Sequence, residues 1–164
     1  MNYFELFNIT PHIFIDTTTL KKTFFALSRK FHPDTLGSAL QTENTLLNAA
    51  EINNAWETFK STDKTIHYIL TINNQIADNE KYPIDNTFLM EIMELKEQLM
   101  DAEMDENNHL LIKVKTEMDA IENKLNSSLV QINNQFLSTG ITALNLQLLK
   151  DHYYKLKYIK KNNH

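Results

Sequence analysis

The stretch Ser28-Arg29-Lys30-Phe31-His32-Pro33-Asp34-Thr35 sets two cations, an aromatic, an imidazole, a proline and a carboxylate in consecutive positions. A proline disfavours the α region in the residue before it, so a helix arriving at Pro33 stops there. What precedes is such a helix. It opens at Thr17 behind Asp16, a good N-cap residue, and carries Leu20, Phe24, Leu27 and Phe31 at i, i+4, i+7 and i+11, one apolar stripe. Lys22 and Arg29 fall nearly opposite that stripe, flanked by Lys21 and Lys30, so the helix has a core face and a basic face. Beyond the corner a loop runs through Gly37 to about Gln41, and a helix from about Glu43 to Lys60 carries Ala49, Ile52, Trp56 and Phe59 on one side. The pattern predicts an antiparallel helical hairpin with His32-Pro33-Asp34 at its tip. Phe31 and Trp56 are expected in its core.

Outward from the hairpin, a short helix is expected from Asn2 to about Phe7, with Tyr3, Phe4 and Phe7 as its aromatic face, stopped by Thr10-Pro11. On the other side a short helix near Asp63 to Asn73 carries Ile66, Tyr68, Ile69 and Leu70. Residues 74–84 are polar, contain Pro83 and lack apolar periodicity, which marks a domain boundary. Three longer helices follow, at about Asn86 to Ala102, Asn107 to Phe136 and Ile141 to Lys161. The middle one has Leu111, Val114, Met118, Ile121, Leu125, Ile132 and Phe136 at near-heptad spacing. The expectation is an all-α chain: an N-terminal domain over 1–74, a linker over 75–84 and an antiparallel three-helix bundle over 85–164.

Composition narrows the chemistry. Two glycines and three prolines starve the chain of strand and turn punctuation, in keeping with helices throughout. Without cysteine there is no disulfide, thiolate metal site or thiol nucleophile. The formal charge of −5 disfavours broad nucleic-acid binding, which needs a cationic surface. Phosphate-cradling glycine loops and His-Glu-x-x-His zinc motifs are missing, and the six histidines are scattered. No cofactor and no metal are expected. No apolar run approaches the roughly 18 to 20 residues that span a bilayer, and Met1 leads straight into Asn2-Tyr3-Phe4-Glu5 with no signal-like segment. A cytoplasmic protein without a membrane partner is expected.

The helix from Asn86 has two apolar faces. At about 100° per residue, Phe88, Ile92, Leu95, Leu99 and Ala102 form a narrow stripe suited to a bundle core. Leu89, Met90, Met93 and Met100 fall outside it, among Glu94, Glu97 and Asp101. Single off-stripe methionines are usually core filling. Several on one helix, flexible and rimmed by acid, suit an adaptable docking surface.

The His32-Pro33-Asp34 corner behind a basic helix, with Ile52-Asn53-Asn54-Ala55-Trp56 on the next helix, resembles a J-domain. Tyr3-Phe4-Glu5-Leu6-Phe7, Thr87-Phe88-Leu89-Met90-Glu91 running on through Glu94-Leu95-Lys96-Glu97, and Lys155-Leu156-Lys157-Tyr158 extend the resemblance to HscB-type co-chaperones of iron–sulfur cluster assembly. Asn8, Thr35 and Thr65 depart from the pattern, standing where Gly, Lys and Arg are common. The resemblance implies that His32, Pro33 and Asp34, with Lys21, Lys22, Arg29 and Lys30, engage a DnaK-type, HscA-like chaperone and stimulate its ATPase. It implies that Leu89, Met90, Met93, Glu94, Glu97, Asp101 and Tyr158 hold an IscU-like scaffold. On this reading the chain is an adaptor with no catalytic residue of its own. Three other readings leave different traces. A general J-protein would take another client, and a helical scaffold with an incidental His-Pro-Asp would leave chaperone ATPase unchanged. An enzyme using His32 and Asp34 would turn over substrate without any chaperone, although no nucleophile or metal partner is visible beside them.

Overall fold

Helical periodicity over the greater part of the sequence becomes helix wherever the structure, a computed structural model, describes the chain, namely residues 1–31 and 43–161. The His32-Pro33-Asp34 corner lies outside the described residues. Within them the elements are α1 (Tyr3–Leu6), α2 (Thr17–Phe31), α3 (Glu43–Phe59), α4 (Thr62–Ile72), α5 (Asn86–Met104), α6 (Asn108–Thr139) and α7 (Ala143–Lys161). No strand occurs among the described residues. The fold is all-α, an N-terminal helical domain followed by a helical bundle.

Helix ends explain how so few glycines suffice. After α1, Asn8 takes a left-handed φ of 54°. The N–H of Ile9 donates to the Phe4 carbonyl at 2.9 Å, and that of Asn8 to the Glu5 carbonyl at 3.1 Å. This is a Schellman closure, and asparagine tolerates its left-handed position better than most side chains. Glu106 does the same after α5 at φ 51°, with the Asn107 N–H on the Ala102 carbonyl at 2.9 Å. At the start of α7, Thr142 and Asn145 cap each other: the Thr142 N–H donates to Asn145 Oδ1 at 2.7 Å and the Asn145 N–H to Thr142 Oγ1 at 3.2 Å. That reciprocal box starts α7 at Ala143, later than the expected Ile141.

The chain divides into two compact units, Met1–Asn74 with Gln135–Ile141, and Gln75–Asn134 with Thr142–His164. In the first, aromatic packing holds α1 against α3 and α4. Tyr3 stacks on Tyr68 at 4.4 Å between ring centroids, and Phe4 and Phe7 lie 5.0 and 5.7 Å from Phe59. The Tyr3 N–H donates to the Tyr68 hydroxyl at 2.8 Å, and burial pushes that phenol's pKa up. Ile13, Leu20, Ile52, Ala55, Ile66, Ile69, Leu70 and, from 135–141, Phe136 are buried in the same unit. The α2 stripe meets α3 through Phe24, which stacks on Trp56 at 4.7 Å. Trp56 and Phe31 are half-buried at the edge of this core, Trp56 with Lys60 Nζ 5.7 Å from its ring. Thr65 is fully buried, and its one hydroxyl proton is shared between the carbonyls of Ser61, 2.8 Å away, and Thr58, 3.1 Å away. It ties α4 to the end of α3.

In the second unit Leu95 of α5 packs with Val114 and Met118 of α6, backed by Leu99, Leu110 and Ile121. Leu146, Leu149, Leu156 and Ile159 bring the buried face of α7. Contacts between α5 and α7 advance together along both helices, Lys155 over the Phe88 ring and Lys96 over that of Tyr158. The two therefore run parallel, with α6 antiparallel to them in an up-down-up bundle.

Candidate docking surfaces

The basic face is built by α2. Asp16 starts the helix: its carboxylate accepts from the Thr18 N–H at 3.1 Å and from Thr19 Oγ1 at 2.8 Å. The Thr19 hydroxyl first, then the Thr18 N–H, hold this carboxyl below its usual range, and Lys22 adds to the effect. With Leu20 buried and Phe24, Leu27 and Phe31 turned inward, Lys21, Lys22, Arg29 and Lys30 are all exposed. Single exposed charges contribute little to stability. A set of one sign on a rigid helix makes a local field that steers an anionic partner, even on a chain of net charge −5. His32, Pro33 and Asp34, expected beside this face, lie outside the described residues.

The second surface grows from the two-faced α5. Ile92, Leu95 and Ala102 are buried, and Phe88 and Leu99 half-buried beside them. On the other side Met90, Met93 and Met100 are 69%, 59% and 62% exposed. With Tyr158 of α7 they line an open groove of about 1250 Å³, together with Thr87, Glu91, Glu94, Lys96 and Glu97. Of the residues expected at the scaffold surface, Met90, Met93, Glu94, Glu97 and Tyr158 come together here. Leu89 is half-buried and Asp101 exposed, and neither is among the lining residues.

Lys96 was not among the expected site residues. Its Nζ stands 5.9 Å from the Tyr158 ring centroid, a cation–π approach that holds the aromatic at the edge of the methionine face. The signal was present in the sequence: Lys96 follows Met93 by three positions and precedes Met100 by four, so all three share one side of the helix. A thioether floor with Glu91, Glu94 and Glu97 around it can receive apolar side chains and attract cations at its rim.

Residues 75–84 carry no helix, yet they are fastened to α7. Glu80 accepts from Lys150 Nζ at 2.8 Å, from the Tyr154 hydroxyl at 3.3 Å and from the Ala77 N–H at 3.3 Å. The Lys150 hydrogen bond is the main reason its carboxyl is held below the usual range. Tyr82 stacks on Tyr154 at 4.7 Å and donates to Asp151 Oδ1 at 3.0 Å. Tyr158 lies one helical turn beyond Tyr154, so this clamp sets the part of α7 that presents it.

Among the described residues no group of His, Asp and Glu is arranged to hold a metal ion, and no helix is long and apolar enough to cross a membrane.

A family model described as the HSCB C-terminal oligomerisation domain matches residues 84–164. The chain is similar to the curated co-chaperone protein HscB homolog of Acinetobacter baumannii, with 35% identity over 107 residues, 65% of this chain and 60% of the relative. Its similarity to the Vibrio vulnificus homolog is 36% over 102 residues, 60% of each. These alignments span 60% of the relatives' length. Among solved structures, chaperone HscB from Vibrio cholerae matches with a TM-score of 0.64 at 30% identity, over 98% of this chain and 92% of that one. Human co-chaperone HscB shares the fold, with a TM-score of 0.69 at 20% identity over 98% of this chain and 78% of that one.

Proposed function

The chain belongs to the HscB co-chaperone family, and from that premise we propose that it is an adaptor between a DnaK-type, HscA-like chaperone and an IscU-like iron–sulfur scaffold. Residues 1–74 act as the J-domain, 75–84 join the two parts, and 85–164 hold the scaffold. The acid-rimmed methionine groove with Tyr158 carries this reading. Flexible thioethers exposed on a rigid helix adapt to an apolar patch on a folded client, and the carboxylates around them favour a client with basic residues beside that patch.

In the first unit, the basic face of α2 steers the chaperone into contact. On the J-domain reading Pro33 restricts the backbone of the corner, and the Asp34 carboxylate pairs with a cation of the chaperone in a charge-assisted hydrogen bond. The chain supplies no reacting group. ATP hydrolysis is the partner's chemistry, and this protein acts by stabilising the chaperone state that hydrolyses.

The test is steady-state ATPase of the cognate chaperone alone, with this protein, and with this protein plus the scaffold. Stimulation by the protein, raised further by the scaffold, is expected. Unchanged hydrolysis overturns the adaptor reading, and binding of unfolded polypeptide in preference to the scaffold replaces it with a general J-protein.

A further inference from the structure

We propose that Phe25 is the apolar anchor of the chaperone-docking face, seated at the centre of its cations and received by an acidic surface of the chaperone that contains an apolar recess. This inference rests on the J-domain reading above. Phe25 is 50% exposed on α2. At about 100° per residue it falls between Lys21 and Arg29 around the helix, with Lys22 just beyond, on the side away from Leu20, Phe24, Leu27 and Phe31. Its ring nonetheless packs edge-on against Phe24 at 5.5 Å, and Phe24 is itself stacked on Trp56 at 4.7 Å. The exposed aromatic therefore rests on the core of the domain and loses little side-chain freedom when a partner covers it.

An aromatic group ringed by charged side chains has the layout of a binding hot spot, an apolar centre whose surroundings exclude water. Charge selects the occupant. A two-fold pairing of copies of this chain would set the same cations against one another, which repels, and Phe25-dependent self-association in the absence of chaperone would overturn the assignment. An anionic membrane is a poorer match, because stable insertion needs several apolar side chains on one face, and the neighbours of Phe25 on this side are Lys21, Lys22 and Arg29. An anionic protein surface fits both the cations and the single ring. The chaperone proposed to dock here is the partner of that chemistry.

The cations and the ring differ in their response to salt, which screens exposed charges but leaves apolar contact. The experiment measures chaperone affinity and ATPase stimulation at low and at high salt for the full chain and for Phe25→Gln, Phe25→Leu and Arg29→Glu. Gln and Leu are both good helix formers, so α2 is kept, and thermal melts check this. Phe25→Gln is expected to weaken binding roughly tenfold or more at both salt concentrations, Phe25→Leu only slightly, and Arg29→Glu strongly at low salt alone. If the wild type binds and stimulates while Phe25→Gln stays within about twofold of it, the anchor is overturned and the J-domain reading stands. Equal losses for Gln and Leu also overturn the apolar role. A wild type that does not bind the chaperone overturns both readings, and Phe25-dependent sedimentation with anionic vesicles in place of chaperone binding assigns the face to a membrane.

Discussion

Leu95 and Met93 are two positions apart on α5, about 200° around the helix, and meet opposite surroundings, which makes them a direct test of which face does what. Leu95 is buried against Val114 and Met118, so Leu95→Ala leaves a cavity and should cost about 2 to 5 kcal/mol, seen as a fall in the urea midpoint. Met93 is mostly exposed in the groove, and Met93→Ala should stay within about 0.5 kcal/mol of wild type. The reverse pattern in the two denaturation curves would mean the faces are exchanged. Thr65 is a third residue-level case. The carbonyls it engages also accept backbone N–H groups, that of Thr65 on Ser61 and that of Ser61 on Thr58. Thr65→Val therefore strands no acceptor and should cost only about 1 kcal/mol, measurable in the same way.

At the scale of elements, the junctions hold the informative chemistry. The clamp of 75–84 on α7 depends on an ionised Glu80, whose carboxyl is held below its usual range chiefly by Lys150. A group whose folded pKa is depressed adds stability that is present above its unfolded value and is lost as pH falls through the folded one. Glu80→Gln should therefore melt earlier than wild type at neutral pH, with the two melting temperatures converging once acid protonates the wild-type carboxylate. A gap that persists unchanged into acid would assign the effect to packing instead. The end of α5 allows a gain. Glu106 occupies a left-handed conformation that disfavours L side chains by about 1 to 2 kcal/mol, so Glu106→Gly should raise the melting temperature, less the greater chain entropy that glycine brings to the unfolded state. A lower melting temperature would show that the Glu106 side chain contributes more than its backbone strain removes.

For the whole molecule, the proposed division of labour predicts that two mutant sets fail separately. Met90, Met93 and Met100 are the most exposed apolar groups of the groove. Replacing all three by serine should weaken scaffold binding by several powers of ten if each anchor is worth roughly 1 to 2 kcal/mol, while stimulation of the chaperone without scaffold persists. His32→Gln or Asp34→Asn should abolish stimulation and leave scaffold affinity intact. Calorimetric titration of the scaffold beside ATPase assays checks both, and loss of both activities in either set would tie the two parts into one function.

The sequence alone determined the helices, the basic side of α2 and the two apolar faces of α5. All of these are local properties, written in spacings of three and four residues. Only the tertiary structure decided that Glu80 and Tyr82 are held by α7, across sequence separations of 70 and 69 residues, that Lys96 stands over Tyr158, and that 135–141 cluster with the first unit. A polar segment without periodicity reads the same whether water or another helix satisfies its carboxylates. Which cation reaches Glu80 depends on the parallel course of α5 and α7, and that topology comes from how buried faces far apart in the chain share one core.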